Sequence, residues 1–356
     1  MSVINLIILI SLPGWGSFIL TALTIAAIYS LLTLGLNIHY GYTGLINFGH
    51  VAFFSAGAYT AALLTVPPAA QTVGAEYIFG LNLPMPLGLP ISLIGAAIAG
   101  GLLSICIGMT SARLSSHYLA IATFALAGIF SSVLENEAWL TNGSFGLNNV
   151  PRPGRATMGA TEWELLYFIF VVLMLVGVLI VLTRLSNSPF GRLLKGVREN
   201  EDAAKMLGKN ITQVKLTSFA IGGAVAGLAG GLYAHYIGSV VVQQFVPSVT
   251  FTIWAALLLG GVASNSGAIL GAFLLVGFQE STRFLTNIYD GLLVVLPEIM
   301  TSVLRVAVQP FPDHPSFVPS LRFVVIGVLI VFVIRYRPEG VLGDSREIEA
   351  IGEEEQ

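Results

Sequence analysis

The chain has 356 residues, 55% of them hydrophobic, and only 10% are Asp, Glu, Lys or Arg, against about 25% in an ordinary soluble domain. A mean hydropathy of +0.84 and repeated apolar runs of about 20 residues exclude a water-soluble globule and indicate a polytopic membrane protein. The net charge of −3 carries little information about partners, because the acids collect near the C-terminus (Glu347, Glu349, Glu353, Glu354, Glu355) in what reads as a solvated tail.

A transmembrane β-barrel would show short alternating segments, which the sequence lacks. The hydrocarbon core cannot satisfy free backbone groups, so the spans are predicted as helices. In chain order the candidate spans are 17–37, 45–66, 89–110, 116–134, 165–183, 214–237, 249–262, 266–281 and 320–335. Segments 1–12 and 288–309 are also apolar, the latter carrying Glu298 and Arg305. The expectation is an all-α fold with about eight to ten transmembrane helices. Residues 1–340 form one membrane domain, and 341–356 form the acidic tail. The first 30 residues carry no Lys or Arg, which argues against a cleaved signal peptide. The 39 glycines suit helices that pack through small residues. Cys106, the single cysteine, is expected to be a small buried hydrophobe. It allows no intrachain disulfide and argues against a Cys-based metal site.

The second apolar run opens with polar residues. Tyr42, Thr43, Asn47 and His50 alternate with Gly41, Gly44 and Gly49. This pattern predicts a broken or re-entrant early helix, which a membrane tolerates only where protein or a water-filled cavity shields the backbone. Half-helix ends there present poles of opposite sign to a polar solute. The four residues are therefore substrate-pathway candidates. The plainer reading is helix packing, with His50 as an internal hydrogen-bond donor. Asn265 and Ser266, in a Gly-rich turn, divide between the same two readings.

Lys and Arg set the orientation. The stretch 184–215 holds seven basic residues against three acids, and Arg113, Arg335 and Arg337 flank other spans. Placing all of these in the cytoplasm puts the loops 67–88 and 135–164 outside and the C-terminus inside. The outer loop 135–164 is built of Gly, Asn and Pro turns rather than a folded domain. Trp139 and Trp163 are expected there as interface anchors, and His117 and His235, near span ends, are expected to be interfacial. Glu280 and Arg283 are expected to pair.

The 184–215 stretch reads as a shaped element. Ser188 can cap a helix and Pro189 suits its first position. A helix is predicted from Arg192 to Leu207, supported by the i,i+4 pairs Arg198/Asp202 and Glu201/Lys205. Leu193, Leu194, Val197, Met206 and Leu207 are expected to supply apolar contacts. Gly208 stops the helix, and Asn210 with Gln213 resembles a capping box for the next span. The result is a compact cytoplasmic helical return at 186–212, a candidate docking peg.

Here the chain resembles a known family. Glu201-Asp202-Ala203-Ala204-Lys205-Met206-Leu207-Gly208 is similar to the coupling-loop motif of ABC-importer permeases. The longer SPFGRLLKGVRENEDAAKMLGKNITQVKL resembles the matching stretch of branched-chain amino acid ABC-transporter permeases, specifically the M-type subunit. GYTGLINFGHVAFFSAGAYTAA at 41–62, SSHYLAIATFALAGIF at 115–130, LTNGSFGLNNVPRP at 140–153 and LLLGGVASNSGAILGA at 257–272 resemble further signatures of that family, in its order. Asn142 stands where members often have a second glycine, and Ala268 lies where a proline is common.

The resemblance implies a type II ABC-importer permease fold. It implies a permease subunit for branched-chain or related hydrophobic amino acids in a multi-pass cell membrane location. The implied partners are a homologous permease, two ABC ATPase subunits and an extracytoplasmic substrate-binding protein, in contact with membrane lipid and without nucleic acid. Arg198, Glu201, Asp202, Ala203, Ala204 and Gly208 become the ATPase-coupling candidates. No cofactor is expected in this chain, with ATP on the partner subunits. No G-x-x-x-x-G-K-[ST] loop is present, the nearest stretches being 191–196, followed by Val197, and 261–267, with the wrong spacing and no Lys. No Ser/His/Asp or Cys/His set is placed for nucleophilic catalysis, so the chain reads as a transporter subunit and not an enzyme. A urea or short-amide importer shares the signatures. An ion-coupled secondary transporter would need charges buried mid-span, where these spans have almost none.

Overall fold

A computed structural model describes residues 15–68, 77, 79–85, 87–111, 114, 116–295, 327–328, 331, 335 and 340–342. The expected segments 1–12 and most of 288–309 and 320–335, the tail after 342, Arg113, Arg337 and the side chains of His117 and Arg283 lie outside the described residues.

Helix α1 (Trp15–Asn37) continues into a π-helical turn, Ile38–Tyr42. Then follow α2 (His50–Thr65), α3 (Gly88–Ser111), α4 (Ser116–Asn136) and a single turn, α5 (Ala138–Thr141). α6 (Ala160–Ser186) leads into α7 (Pro189–Glu199) and α8 (Glu201–Met206), and the chain returns through α9 (Ile211–Ile237). α10 (Pro247–Gly260) and α11 (Asn265–Val295) close the described part. Strands β1 (Leu147–Asn148) and β2 (Ser239–Val240) form a short antiparallel bridge, with Leu147 opposite Val240. The fold is thus all-α and polytopic. Among the described residues, six helices are long and apolar enough to cross a membrane: Gly16–Tyr42, Gly88–Thr110, Tyr118–Asn136, Ala160–Ser186, Ile211–Ile237 and Val242–Gly260. The run 45–66 is not one full span. Its helix occupies only His50–Thr65, and residues 43–49 are non-helical.

α9 is the centre of the bundle, packed against α1, α2 and α3. Lipid gives helices no hydrophobic drive to associate, so close backbone approach must supply the attraction. Glycines provide it on three sides of α9. A Cβ at Gly100 on α3 would lie 2.5 Å from the Gly223 carbonyl, and one at Gly35 on α1 would lie 2.7 Å from that of Gly222. Gly57 on α2 sits against Gly227, and Gly230 sits against Phe54 and Ala58. Several hydroxyls inside the bundle are satisfied locally. Thr24, Ser30 and Thr33 on α1 each donate to the carbonyl four residues back, at 2.7 to 2.8 Å.

The face opposite the 184–215 loop is tied down by side chains. Asn142 adopts the left-handed conformation (φ 65°), which Asn tolerates better than most non-glycine residues. Its Nδ2 donates to the Gly146 carbonyl at 3.0 Å, so the turn keeps its shape without the family's second glycine. Three expectations are corrected. Trp163 is 3% exposed, stacked on Tyr167 and Tyr236, with Nε1 donating to Pro153 O at 2.8 Å. It is a core residue, because three aromatic faces bury more area together than one gains at an interface. His235 is buried, bridging Ser92 Oγ and Pro151 O at 2.8 Å each. Cys106 is exposed, on the side of α3 turned away from the bundle.

Candidate functional site

The break after α1 gathers a cluster of buried polar side chains, Asn37, His39, Thr43, Asn47 and His50 among them. A π-helical turn leaves its terminal carbonyls without the regular helical ladder, so each needs another donor. The Ile38 carbonyl accepts from Thr43 Oγ1 at 2.9 Å and from Ser218 Oγ at 3.2 Å. That of His39 accepts from Leu45 N–H at 2.8 Å and that of Tyr40 from Gly44 N–H at 2.9 Å. The Gly41 carbonyl accepts from Arg198 Nη1, which belongs to α7.

Deeper in the bundle, His39 Nδ1 pairs with Asn47 Nδ2 at 3.1 Å and His39 Nε2 with the Phe219 carbonyl at 3.3 Å, contacts that a single neutral tautomer satisfies. Phe219 lies eight residues into α9, about 12 Å from its start. Asn47 Oδ1 accepts from Gly49 N–H at 2.8 Å, shaping the turn into α2. His50 Nε2 donates to the Leu32 carbonyl at 3.0 Å, while its Nδ1 meets no partner among the described residues. Asn37 joins the break to the α10–α11 turn, accepting from Ala263 N–H at 2.9 Å and donating to Asn265 Oδ1 at 3.2 Å.

The 184–215 loop lies against this break. Ser188 Oγ accepts from Gly191 N–H at 3.3 Å, and Pro189 opens α7, as expected. The predicted single helix is in fact two. Asn200 is extended (φ −152°, ψ 101°), and its side chain caps α8 by accepting from Ala203 N–H at 2.8 Å. An Asn competes with helical backbone in this way, favouring caps over interiors. The kink separates Arg198 from Asp202, so their expected pair is replaced. Arg198 turns inward to Gly41, and Asp202 pairs with Lys205 at 3.2 Å. The Glu201–Lys205 pair is present at 3.2 Å. Glu201 also accepts from Lys215 Nζ at 2.7 Å, the lysine side chain being only 10% exposed. Burial alone would raise the Glu201 carboxyl's pKa. Hydrogen bonds and charge from Lys215 and Lys205 outweigh it, and the net shift is downward.

Gly208 is left-handed (φ 74°) and ends α8, with its N–H on the Lys205 carbonyl at 2.9 Å and Lys209 N–H on that of Ala204 at 3.3 Å. This is the Schellman arrangement. Asn210 Oδ1 then accepts from Gln213 N–H at 3.2 Å to start α9. Of the expected apolar contacts, Leu194 and Val197 are buried, but Met206 and Leu207 are 87% and 79% exposed. The kink at Asn200 turns them outward.

The two predicted sets of residues therefore meet. Thr43, Gly44, Leu45, Val197, Arg198, Glu201 and Lys215 line one cavity of about 280 Å³. Tyr42 lies under Lys195, 5.8 Å from its ring centre. Asn47 and His50 lie deeper, and all four pathway candidates are buried within this chain. Among the coupling candidates, Ala204 is buried, and Asp202, Ala203 and Gly208 are exposed. Sequence reasoning passed over Lys215 and Lys195, and read Gly41 only as part of the break. A lone Lys one turn into an apolar span was a usable signal for the first. The contact of Gly41 with α7, 157 residues on, had none. No cluster of three or more His, Cys, Asp or Glu suited to a metal occurs among the described residues.

Comparison with known proteins agrees with this architecture. The family model of the branched-chain amino acid transport system permease component matches residues 18–334. The chain is 33% identical over 282 residues to the high-affinity branched-chain amino acid transport system permease protein LivM of Escherichia coli, covering 73% of this chain. It spans 62% of that relative's length. It is 26% identical over 336 residues to a probable branched-chain amino acid transport permease protein LivM of Methanocaldococcus jannaschii, covering 89% of this chain and 91% of the relative. A probable branched-chain amino acid transport permease protein LivH of the same organism is 27% identical over 300 residues, covering 79% of this chain and 87% of the relative. No solved structure matches.

Proposed function

The chain belongs to the branched-chain amino acid transport system permease family, and from that premise we propose that it is the membrane permease subunit of an ATP-driven ABC importer. Its cargo is branched-chain or related hydrophobic amino acids. It works with a homologous permease, two ABC ATPases and an extracytoplasmic binding protein. The face bearing the 184–215 loop is cytoplasmic, and the translocation path runs between the two permeases.

One observation carries this reading. The loop is a two-helix peg that presents an uncovered apolar tip, Met206 and Leu207, beyond the apolar helices. Two large apolar side chains held in water by caps and ion pairs make sense where a partner covers them. A recessed surface on an ATPase subunit suits the tip, with Asp202, Ala203 and Lys205 at its rim setting register more than affinity. Tyr42, Thr43, Asn47 and His50 act as the internal struts of the break, whose rearrangement opens the path.

The test is uptake in proteoliposomes holding the assembled complex. Branched-chain amino acid is expected to accumulate with ATP and binding protein present, and to stop accumulating when the ATPases are omitted. A Met206→Ser/Leu207→Ser double variant is expected to lose at least about tenfold in ATPase co-purification. Accumulation driven by an ion gradient without the ATPases overturns the reading.

A further inference from the structure

Besides the buried Leu194 and Val197, charged side chains fasten the peg to the bundle on two sides. Glu201 holds the α9 side through Lys215, at 2.7 Å. On the other side, α7 delivers two cations, Lys195 and Arg198, three residues apart, to the end of α1. That end is the negative pole of a long helix, where cations are favoured. Its carbonyls at 38, 39 and 40 accept from Thr43, Leu45 and Gly44 respectively, and the Gly41 carbonyl accepts from Arg198. Gly44 is left-handed (φ 73°), and a Cβ there would lie 3.1 Å from Arg198 Cγ. The arginine stem therefore rests on bare backbone, directly beside the hinge between α1 and α2.

We infer that Arg198 is a positioning residue that carries movement of the peg to the α1–α2 break, separately from the path through Lys215 into α9. This rests on the proposed importer reading for its purpose, while the linkage itself is a property of this chain. A single attachment through α9 would swing that helix as a rigid rod. The second attachment acts on the segment whose backbone is already broken and whose hydrogen bonds run through Thr43 and Asn47. It gives the complex a way to move the break in step with the ATPases without displacing the glycine-packed contacts of α9. The geometry also separates docking from transmission. The exposed tip at Met206 and Leu207 faces away from the chain, whereas Arg198 faces into it.

The experiment compares Arg198→Gln, Arg198→Lys and Gly44→Ala in the assembled complex, measuring ATPase co-purification, ATP hydrolysis and uptake. Arg198→Gln keeps the stem and loses the charge. It is expected to leave co-purification at the wild-type stoichiometry and to lower uptake per ATP hydrolysed by about tenfold. Arg198→Lys, a point charge without the planar fork, is expected to recover part of that ratio. Gly44→Ala, which presses a Cβ onto the stem and strains the left-handed backbone beneath it, is expected to fall with Arg198→Gln. An unchanged ratio in Arg198→Gln, or a loss of ATPase binding in proportion to uptake, overturns the inference. Amide exchange in the isolated permease gives a readout independent of transport. Gly44 and Leu45 are expected to exchange about tenfold faster in Arg198→Gln, with the amides around Gly227 unchanged. Equal exchange at 44 and 45 overturns the linkage even if uptake falls. A wild-type complex without ATP-dependent uptake defeats the importer reading and leaves this linkage to stand or fall on the exchange result.

Discussion

Residues 188–210 hold their shape through side chains. Ser188, Asn200 and Asn210 each cap a helix, Gly208 closes a turn, and Glu201 ties together two lysines. Around α9 the same length of chain is held by bare backbone, with Gly57 against Gly227 and Gly100 against Gly223 and Gly227. The difference follows from the solvent. Beyond the apolar helices water competes for every polar group, and only a set of local caps and pairs fixes a short segment. In lipid no water competes, apolar side chains gain nothing by pairing, and removing side chains brings the helices together. One region is fixed by bonds within itself, and the other by contact between helices.

The largest expected effect comes from spoiling the backbone-packed region. Gly227→Leu would push a branched side chain into Ala96 and Gly100 of α3. Rigid backbone there cannot yield as a flexible side chain would, so the destabilisation should reach or exceed the ~3 kcal/mol upper end usual for overpacking. The purified variant is expected to lose its cooperative thermal transition in detergent, or not to accumulate at all. A Gly227→Leu permease with wild-type thermal stability would mean that α9 and α3 are not in backbone contact.

A middle effect separates the two regions by pH. Glu201→Gln removes the charge opposite Lys215, whose side chain is 10% exposed. Unpairing a buried lysine is costly, but Glu201 is itself 40% exposed and water screens part of the loss, which leaves roughly 1–2 kcal/mol. Because the folded state lowers the Glu201 pKa below its ordinary 4.5, the pair's contribution is fully present above that value. It is lost as pH falls through the lower, folded value. The stability gap between wild type and Glu201→Gln is therefore expected near neutral pH and should close at pH values well under 4.5. A gap that is constant across that range would show that the glutamine acts through packing rather than charge.

Much of the peg was legible because its signals are local. Ser188, Pro189, Gly208 and Asn210 declare their roles within a few residues. Asn200 was the exception, since an Asn inside a run of helix formers reads as tolerable until the chain has a reason to turn there. Once it does, Met206 and Leu207 leave the expected core and Arg198 loses its expected partner. The break between α1 and α2 was visible in the glycines and polar residues at 41–50, but its supports were not. The bonds of Thr43 to Ser218 and Asn37 to Asn265 join positions 175 and 228 residues apart, and no pattern within the run selects those partners. The same holds for Trp163, whose neighbour Tyr236 lies 73 residues on. The glycines of α9 announced close packing but not which face meets which helix.

The smallest effect tests whether the peg's end is held by backbone geometry alone. A Cβ at Gly208 would meet nothing within 4 Å, so space is no obstacle, and the only penalty is its φ of 74°. For an L-residue the left-handed region costs on the order of 1–2 kcal/mol, and Asn visits it most readily. Gly208→Asn should then be nearly silent, Gly208→Ala should cost about 1 kcal/mol, and Gly208→Val somewhat more through its branched Cβ. The measurement is amide exchange at 203–209, which is expected to quicken in that order while the bundle around α9 stays unchanged. If all three variants behave alike, Gly208 stops α8 for want of a continuing helix rather than by its conformation. If the α9 amides quicken with the peg, the two regions are not separately fixed.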